Sequence, residues 1–539
     1  MIPMELHIVK VIYILTMNKH RGYIILISTA IIALLCICIY LTFRFFVFFA
    51  EEYSLLDRIF AICLLVGELF FFIHGIGYSI DAIKASRRYR EEFDSQHYFL
   101  NVKEPKVAVF ITAYNEDADT LENTISACTL MDYKNKQNYL LDDSTKPELM
   151  RTSKALTEKY GIEYVHRENR RGFKAGAIND MLNGIDAKYL LILDADQRPS
   201  YNFLHEVVPI LEEKPELAFV QTPQYYVNRD SSKVSNAASA QQSAFYANVS
   251  EGKSVSNAMF ACGTNIVLRV SALNDIGGFD EESVTEDFAT SFMLHERGYS
   301  SYYYNNVFVE GDGPASIPGY YMQQMRWAYG TIGIFKKLLK ELFRHPRRLT
   351  PVQWWEYILS GTWYFVGWAF FFMMICPVAY LLFEIRPLLA EPYIYVVAYL
   401  PYLLFSSLQF FVSMSMRGFS AKDQWFGQIL TYLTFPIYML AATYALINKK
   451  IPFVVTPKGG SGKSPLTCFW PQIAMMSIIF FSVAVGIWKF VQQFDLALII
   501  NILWSFYYLL LLSMFLYFRR DAEEPSLYYV DMFEEFVRE

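Results

Sequence analysis

Long apolar runs constrain what this 539-residue chain can fold into more than any other feature. Each of six runs is long enough to cross the ~30 Å hydrocarbon core of a bilayer as a helix of roughly 20 residues. They lie at Tyr23–Phe43, Ile59–Ile80, Trp354–Phe383, Tyr393–Met414, Gln472–Trp488 and Leu496–Phe518. With 54% hydrophobic and only 19% charged residues, the composition excludes an ordinary soluble enzyme. The sequence therefore predicts a multi-pass protein of the cell membrane, with the lipid bilayer as a partner.

Basic residues gather beside these runs and indicate how the chain crosses the bilayer. The clusters are Arg87, Arg88 and Arg90; Arg344, Arg347 and Arg348; Arg417 and Lys422; Lys449 and Lys450; and Arg519 and Arg520. Because Lys and Arg are enriched in cytoplasmic loops, six spans place every cluster and both termini in the cytoplasm. A further apolar stretch, Trp425–Ile447, would break this parity as a seventh span, so we interpret it as a helix lying in the membrane interface. The net charge of −6 gives no reason to expect a nucleic-acid partner.

The region from about residue 84 to residue 345 has the character of a soluble domain. Short apolar segments alternate there with helical patterns. Five of these segments are predicted to be strands: Val107–Thr112, Asn138–Leu141, Glu163–His166, Tyr189–Asp194 and Ala218–Gln221. This alternation predicts an α/β domain with a largely parallel sheet. Such sheets bind ligands at the carboxyl ends of their strands, and polar residues follow several of these strands.

Two carboxylates in the sequence Asp194-Ala195-Asp196 come at the end of one predicted strand. Carboxylates two residues apart at such a position can hold a divalent cation against phosphate oxygens. Mg²⁺ prefers a few carboxylates together with substrate phosphates, and Mn²⁺ accepts similar oxygen ligands. A solvated turn is the alternative. We expect a Mg²⁺ or Mn²⁺ site at Asp194 and Asp196.

Two neighbouring strands also end in polar residues that suit a nucleotide. Asp142 and Asp143 follow one of them, and a carboxylate there can accept from the imide N–H of a uracil or from ribose hydroxyls. The segment that ends the first strand offers the ring of Tyr114 for stacking and the polar groups of Thr112 and Glu116. Either segment alone also fits an ordinary strand-to-helix turn with capping side chains. Their shared position at one sheet edge favours a nucleotide site.

Two later loops supply a cation and a candidate base. Arg171–Gly176 places Lys174 just before a helix, and both the ammonium group and the helix N-terminus suit a diphosphate. A basic, flexible loop is the alternative. Thr285-Glu286-Asp287 supplies carboxylates, and group transfer to a hydroxyl needs a base that takes its proton. Capping of the helix that follows is the alternative for Glu286 and Asp287.

An amphipathic stretch, Ile317–Phe343, leads from the soluble region towards the third apolar run. Its pattern predicts a helix lying on the membrane surface. The stretch contains Gln323, Arg326 and Trp327. Arg326 can pair with a diphosphate, and Trp327 can offer its face to a sugar. Anchoring of the helix in the interface is the alternative for both.

Taken in order, seven segments resemble the processive family-2 glycosyltransferases, the family of the bacterial cellulose synthase catalytic subunit. They are Asp142-Asp143, Asp194-x-Asp196, Phe219–Gln224, Phe260–Thr264, Thr285–Asp287, Gln323-x-x-Arg326-Trp327 and Phe453–Gly459. The resemblance covers about residues 105–465, and the ordered set is far more specific than any one segment. It implies an α/β GT-A (Rossmann-like) catalytic domain inserted in an α-helical transmembrane domain with interfacial helices.

On the donor side, the resemblance implies that Asp194 and Asp196 engage the metal and the diphosphate. Thr456 and Lys458 would lie on a gating loop that enters the site when substrate is bound. The full nucleotide-sugar site expected is Thr112, Tyr114, Glu116, Asp142, Asp143, Lys174, Asp194, Gln323, Arg326, Trp327, Thr456 and Lys458.

On the acceptor side, the resemblance implies that Asp287 is the general base of an inverting displacement. Glu286 and Arg326 complete the expected catalytic set. The expected acceptor contacts are Cys262, Gly263 and Trp327.

The membrane helices would form a translocation channel. Trp363 and Trp368 are candidates for stacking on sugars there, whereas Trp354 and Trp355 better fit an interfacial belt. Two ionisable residues, Glu68 and His74, lie inside the second apolar run, where such groups are costly and often functional. The sequence assigns a role to neither of them.

The leading hypothesis is a processive β-glycan synthase that transfers hexose from a UDP-sugar, with UDP-glucose expected first, to a growing polysaccharide. The resemblance also allows for accessory export subunits. A second hypothesis is transfer of a single sugar to a membrane lipid. A third, a transporter with a degenerate domain, requires idle carboxylates, yet all of them are present. Because the last apolar run is followed only by a short acidic tail, regulation by cyclic-di-GMP is not expected.

The expected organisation has seven parts. They are residues 1–83, an N-terminal segment with two transmembrane helices; 84–316, the cytoplasmic GT-A domain; 317–350, amphipathic interface helices; 351–416, two transmembrane helices; 417–470, an interfacial helix and the gating loop; 471–518, two transmembrane helices; and 519–539, an acidic cytoplasmic tail.

Overall fold

The computed structural model describes residues 19–48, 53–94, 104–388, 392–451 and 464–519. Two long helices come first, α1 (Lys19–Phe48) and α2 (Leu55–Asp94). An ion pair joins them, because the guanidinium of Arg44 lies 3.1 Å from the carboxylate of Glu68. Tyr40 of α1 donates a hydrogen bond to the same carboxylate. Glu68, which the sequence analysis left without a role, thus ties two membrane-type helices together.

The α/β region follows, and ten short strands form its two sheets. They are β1 (Val107–Ala113), β2 (Lys136–Asp142), β3 (Glu163–His166), β4 (Tyr189–Asp194), β5 (Arg198–Pro199), β6 (Leu217–Gln221), β7 (Tyr225–Tyr226), β8 (Ile266–Arg269), β9 (Ser300–Tyr303) and β10 (Val309–Gly311). The large sheet has the order β3-β2-β1-β4-β8-β6-β9, and β5-β10-β7 form the small one. In the large sheet only β8 is antiparallel to its neighbours, β4 and β6. The five predicted strands are confirmed to within two residues at either end.

Helices cover both faces of the large sheet. They are α3 (Ala118–Leu130), α4 (Pro147–Tyr160), α5 (Phe173–Leu182), α6 (Phe203–Glu213), α7 (Lys233–Ala244), α8 (Glu251–Val255), α9 (Val270–Ile276) and α10 (Glu286–Glu296), with a π-helical turn at Phe245–Ser250 between α7 and α8. In the central strand β1, Val109 packs into one apolar cluster and Phe110 into another on the opposite face. Both side chains are fully buried, which explains why this strand is an uninterrupted apolar run.

The remaining helices are mostly apolar and follow the α/β region. They are α11 (Ile317–Arg344), α12 (Pro351–Thr362), α13 (Val366–Phe383), α14 (Pro392–Met416), α15 (Ala421–Leu433), α16 (Phe435–Leu446), α17 (Trp470–Gln492), α18 (Leu496–Ser513) and α19 (Phe515–Arg519). Over the part of the chain that the structure describes, six helical segments are long and apolar enough to cross a membrane, or seven if one bent pair is a single span. Each of the six predicted runs coincides with one of these segments.

The bent pair is α15 and α16, which cover the stretch expected to lie in the interface. The two helices turn by 49° at their junction. Helix α15 packs on α7 of the α/β region, and Gly427 permits the contact because a Cβ there would lie 2.9 Å from the backbone nitrogen of Gln241. Helix α15 is thus held against the α/β region, and the interfacial position of the pair stays a prediction.

A buried ionic network fixes the α/β region on the membrane-type helices. The ammonium group of Lys253 in α8 lies 3.0 Å from the carboxylate of Glu356 in α12. Lys84 of α2 reaches the same carboxylate at 3.2 Å. Gly252 sits directly on the backbone of Asp81 in α2, where a Cβ would lie only 2.5 Å from its Cα. Three helices distant in sequence are thereby locked together beside the candidate site.

Candidate active site

One cavity of about 1360 Å³ lies where the α/β region meets α11 and the membrane-type helices α2 and α12–α14. The carboxyl ends of β1 and β4 open on to it, as expected for a sheet of this kind. Most of the residues singled out in the sequence line this one cavity: Thr112, Tyr114, Glu116, Asp143, Lys174, Asp194, Asp196, Cys262, Gly263, Glu286, Asp287, Gln323, Arg326 and Trp327. Residues that are up to 215 positions apart in sequence therefore share one chamber.

At the end of β4, Asp194 is paired with a lysine. The ammonium group of Lys174, at the start of α5, contacts the carboxylate of Asp194 and also donates to the carbonyl oxygen of Gly263 at 2.8 Å. Asp194 keeps 43% of its side chain exposed. Asp196 is almost fully buried and accepts from the backbone N–H of Asp312 at 3.4 Å. Both carboxylates thus line the cavity, Asp194 partly exposed and Asp196 almost fully buried.

The end of β1 presents an aromatic ring stacked on a cation. The guanidinium of Arg170 lies 3.7 Å from the centre of the Tyr114 ring, within the range of a cation–π contact. Thr112 donates to the carbonyl oxygen of Leu193 at 3.2 Å, which joins β1 to β4 at the cavity. Glu116 also lines this part of the wall. Arg170 directly precedes the basic loop noted in the sequence but was not singled out there.

The two aspartates at the end of β2 have different surroundings. Asp143 lines the cavity, and Arg167 grips both of its carboxylate oxygens at 2.7 Å. Asp142 lies outside the cavity wall and is 1% exposed. Its oxygens accept from the backbone N–H of Ser144 at 2.9 Å and from the hydroxyl of Tyr164 at 3.1 Å. Of this pair, only Asp143 is placed to meet a ligand in the cavity.

The acidic turn Thr285–Asp287 begins α10 and is pressed against α11. Gly330 of α11 makes this approach possible, because a Cβ at that position would lie 2.5 Å from the methyl carbon of Thr285. Asp287 accepts from the backbone N–H of Phe288 at 2.8 Å, so one oxygen partly satisfies the helix N-terminus, as the capping alternative required. Its other oxygen lies 3.2 Å from the position of a Cβ built on Gly263 and therefore faces the cavity floor.

The two carboxyl groups of this turn, those of Glu286 and Asp287, have raised pKa values. Burial, and next the adjacent carboxylate of Glu286, raise the pKa of Asp287 to about 7. Burial likewise raises the pKa of Glu286, opposed by the positive charge of Lys174. An aspartate whose pKa lies near neutrality is suited to take a proton in a reaction at that pH.

The segment beside Asp287 forms the cavity floor. Gly263 has a φ of +78°, a left-handed conformation that glycine adopts without strain. The backbone N–H of Cys262 donates to the side chain of Gln221 at 2.8 Å. Burial raises the pKa of the Cys262 thiol, so it is a neutral lining group. Cys262 and Gly263 thus line the cavity beside the acidic turn, and their role in binding an acceptor stays a prediction.

Helix α11 brings its polar residues to the cavity as a single wall. Gln323 donates to the hydroxyl of Tyr226 at 3.5 Å, and Arg326 and Trp327 lie on the same lining. The next residue, Gln324, instead accepts from the hydroxyl of Tyr438 in α16 at 3.0 Å. The hydrogen bond from α16 thus holds the helix beside the residues that line the cavity.

Two glutamines form a bridge that the sequence did not single out. Gln242 of α7 donates to Gln224 at 2.9 Å, and Gln224 donates to the carbonyl oxygen of Cys262 at 3.0 Å. Both side chains line the cavity. Gln224 ends one of the matched segments, which pointed to it, whereas Gln242 sits in an ordinary helix with no distinguishing pattern.

The cavity continues into the membrane-type helices, where its wall is aromatic. His74 of α2 stacks on Phe70 with ring centres 4.1 Å apart, and Trp363 lies 5.7 Å from the same imidazole. All three line the cavity, as does Phe370 of α13. Flat rings with a polar edge suit sugars, whose faces are apolar and whose rims carry hydroxyls. Trp363 thus lies where a sugar-stacking residue was expected.

Trp354 does not lie in an interfacial belt. It is 5% exposed, packs on Phe292 of α10 at 5.8 Å between ring centres, and donates from its indole to the carbonyl oxygen of Pro346 at 2.9 Å. The belt interpretation is wrong for this residue because α12 folds back on α10 and buries it.

Two further parts of the expected site are the gating-loop residues and a metal-binding group. Thr456 and Lys458 lie outside the described residues. Among the described side chains, no group of three or more His, Cys, Asp or Glu could hold a metal ion.

Sequence comparison identifies the class of this domain. Residues 189–446 match the glycosyl transferase family group 2. This match, over just under half of the chain, and the mixed α/β sheet make residues 189–446 similar to a family-2 glycosyltransferase domain, set among membrane-type helices. The predicted resemblance to family-2 glycosyltransferases and the predicted α/β domain among membrane-type helices are therefore confirmed.

Among individual relatives, the chain is similar to cellulose synthase catalytic subunits. It is 28% identical over 428 residues to the UDP-forming subunit of Pseudomonas fluorescens strain SBW25, a match covering 76% of this chain and 56% of the relative. It is 26% identical over 437 residues to a subunit of Komagataeibacter xylinus, covering 78% of this chain and 57% of the relative. The chain thus spans little more than half the length of these relatives.

A solved structure is similar across much of the chain. The mannosyltransferase PcManGT from Pyrobaculum calidifontis, determined in complex with GDP-Man and Mn²⁺, is 18% identical. The match covers 74% of this chain and 100% of that one, with a TM-score of 0.48.

Proposed function

We propose that this protein is a membrane-embedded inverting glycosyltransferase that transfers hexose from a UDP-sugar to a growing polysaccharide, with UDP-glucose as the expected donor. The observation that carries the proposal is the continuity of one cavity, from the carboxylates at the strand ends to the aromatic wall inside the membrane-type helices. A site for transfer and a route for the product would then share one chamber. The similarity to UDP-forming cellulose synthase subunits supports the donor and the polymeric acceptor.

The nucleotide would bind between the ends of β1 and β2. Tyr114, backed by the guanidinium of Arg170, offers a ring for a base. Asp143 is oriented by Arg167 through two hydrogen bonds, so its carboxylate position is fixed before a ligand arrives. Lys174 and the N-terminus of α5 lie next along the cavity and supply positive charge for a diphosphate.

Asp194 and Asp196 fit a divalent cation that is shared with the substrate. Asp194 is the more exposed of the two carboxylates that line the cavity, which suits Mg²⁺ or Mn²⁺ because these ions take a few carboxylates and complete their shell with phosphates and water. When bound, the ion would neutralise charge that develops on the departing diphosphate. Lys174, now paired with Asp194, is placed to share that charge.

Asp287 would act as the general base. Its oxygen beside Gly263 would accept the proton of an acceptor hydroxyl, whose oxygen then forms a bond to the anomeric carbon of the donor sugar. The bond from that carbon to the diphosphate breaks with its electron pair, which leaves as UDP. Attack from the face opposite the leaving group inverts the anomeric configuration. Glu286 contributes by raising the pKa of Asp287 towards neutrality.

Helix α11 would close the site over the substrates. Arg326 lies on the cavity wall with the acidic turn and is suited to pair with the departing diphosphate. Gln323 and Trp327 follow the same wall, and the indole offers a face to the acceptor sugar. The product would then pass along Phe70, His74 and Trp363 between the membrane helices.

The catalytic domain would lie in the cytoplasm of a multi-pass membrane protein. The basic clusters at Arg344–Arg348 and at Arg417 and Lys422 adjoin helices long enough to cross a bilayer, on the side of the α/β region. Lys and Arg in short loops are retained on the cytoplasmic side. A UDP-sugar in the cytoplasm would then meet the site directly.

Product size tests this proposal. Purified protein in lipid nanodiscs is incubated with radiolabelled UDP-glucose and Mg²⁺ or Mn²⁺, with parallel reactions containing other UDP-hexoses. We expect alkali-stable material of high mass and release of UDP. A single labelled lipid would replace the polymerase proposal by single-sugar transfer, and a different preferred donor would replace UDP-glucose. The Asp287→Asn variant is the matched control for enzyme-dependent incorporation.

A further inference from the structure

The C-terminal end of α11 presents a surface that the transfer reaction does not use. We call it the basic face, formed by Lys340, Phe343, Arg344 and Arg347. The first three are spaced at i, i+3 and i+4 and therefore lie on one side of the helix, and Arg347 follows just beyond its end. All four are exposed. Phe343, at 82% exposure, is the most exposed large apolar side chain in the described part of the protein.

The other sides of this helix end are already occupied. Leu338 is fully buried in a cluster with residues of α10 and α12. Lys337 pairs with Asp280 at 3.2 Å, and Arg348 pairs with Glu296 at 3.1 Å and with Glu341 at 2.9 Å. These contacts fix the orientation of the helix end on the α/β region. They leave the basic face turned away from the protein.

The cations of the basic face form no ion pair with any acidic side chain that the structure describes. No carboxylate that the structure describes pairs with Lys340, Arg344 or Arg347, although carboxylates pair with Lys337 before them and with Arg348 after them. The chain as a whole carries a net charge of −6, so this cluster is a local concentration of positive charge.

An exposed aromatic ring among unpaired cations matches the chemistry of an anionic membrane surface. The ring can enter the boundary between head groups and acyl chains while the cations contact lipid phosphates. Location agrees with this occupant, because α12, the start of a candidate span, begins at Pro351, four residues after Arg347. We propose that the basic face binds phospholipids with anionic head groups in the leaflet next to the α/β region.

Lipid bound there would act on the candidate active site through α11. The helix is continuous from Ile317 to Arg344, so Arg326 and the basic face belong to one rigid element. Eighteen residues separate Arg326 from Arg344, or roughly 27 Å at the rise of an α-helix. Because the same helix end is fixed on the α/β region, lipid bound there would set the depth of α11 and of this region together at the membrane surface. This consequence rests on the proposed function, whereas the lipid site itself does not.

Lipid retention tests the site without any sugar substrate. The full chain is purified into nanodiscs of phosphatidylcholine with an added fraction of phosphatidylglycerol, extracted with mild detergent, and the phosphatidylglycerol kept per protein is measured by mass spectrometry. The test variant carries Lys340→Gln, Arg344→Gln and Arg347→Gln. Because each cation near a membrane surface contributes about a factor of five in affinity, we expect the variant to bind the anionic lipid roughly a hundredfold more weakly.

A matched variant controls for the loss of charge. Lys134, just before β2, and Arg151 and Lys154, on α4, are exposed cations of the α/β region, and their replacement by Gln removes the same charge elsewhere. This variant should retain lipid like the parent protein, as should a variant with Arg344→Lys and Arg347→Lys, which keeps the charge. Phosphatidylglycerol retained equally by the triple Gln variant overturns the proposal, as does equal loss in both charge-removal variants. Thermal unfolding of every variant verifies the fold.

The effect on the active site is measured separately. UDP affinity is determined in nanodiscs with and without phosphatidylglycerol. We expect tighter UDP binding with anionic lipid, a difference that disappears in the triple Gln variant and at 1 M salt, where the screening length falls to about 3 Å. Retention without this difference would keep the lipid site and remove its link to α11. Absence of transferase activity would count against the proposed function alone.

Discussion

Replacing Asp287 by Asn removes the candidate base while preserving its shape. Asp287 accepts from the backbone N–H of Phe288 at 2.8 Å, and an amide oxygen can accept the same hydrogen bond. The start of α10 should therefore remain in place. General base catalysis contributes about 10²–10⁴ in rate, so we expect turnover to fall by at least about a hundredfold. UDP binding should be unchanged, because the proposed nucleotide contacts lie at the ends of β1 and β2.

The pH dependence of turnover tests the same residue without a mutation. With a pKa of about 7, the deprotonated share of Asp287 rises from roughly a tenth at pH 6 to roughly nine tenths at pH 8. The base must be deprotonated to act, so the rate should increase with pH over this range, by about tenfold. Initial rates of UDP release at saturating donor measure this profile.

A neighbouring substitution predicts the direction in which the profile moves. The negative charge of Glu286 raises the pKa of Asp287, second only to burial. Glu286→Gln removes that charge, so the midpoint should shift towards lower pH. Glu158→Gln, on the exposed surface of α4, is the matched control and should leave the midpoint unchanged. A midpoint that stays fixed in Glu286→Gln, or an Asp287→Asn enzyme within tenfold of the parent, would refute the assignment of the base.

Three further substitutions test other parts of the site. Gly330→Ala places a Cβ 2.5 Å from the methyl carbon of Thr285, so overpacking should lower the free energy of unfolding by about 1–3 kcal/mol. Turnover should fall at least tenfold; thermal unfolding and UDP release measure the two effects. Unchanged turnover would show that α11 need not touch the turn. Arg167→Ala frees Asp143 and should weaken UDP binding by about tenfold in calorimetry, whereas Arg151→Ala on the surface should not. Trp363→Ala should shorten the product on size-exclusion chromatography at an unchanged KM for the donor; full-length product would exclude the aromatic wall from the product route.

Much of the fold could be predicted because it depends on local properties of the chain. The length of an apolar run determines whether a helix can cross a bilayer, and each predicted run coincides with a helix of that kind. Strand β1 is recognisable around Val109 and Phe110 because burial on both faces of the sheet requires an unbroken apolar sequence. Short β8, antiparallel and only four residues long, carries no such pattern and was not predicted.

The candidate site could be predicted where strand ends bring residues together. Asp143 and Asp194 were expected at one sheet edge, and both line the cavity. Their partners could not be foreseen, because a pairing such as that of Lys174 with the carbonyl oxygen of Gly263 joins residues 89 positions apart through packing alone. The same holds for Asp142, which sequence cannot distinguish from Asp143 but which packing hides beneath Tyr164.

The sequence by itself determined the class of protein: membrane-type helices around an α/β domain that resembles family-2 glycosyltransferases, with its acidic residues at strand ends. Only the tertiary structure decided which of those residues face a common cavity. It also decided that His74 and Trp363 extend that cavity between the membrane helices, and that the basic end of α11 remains uncovered by protein. The physical reason is that apolar length and periodicity act along the chain, whereas exposure and pairing depend on which distant elements pack together.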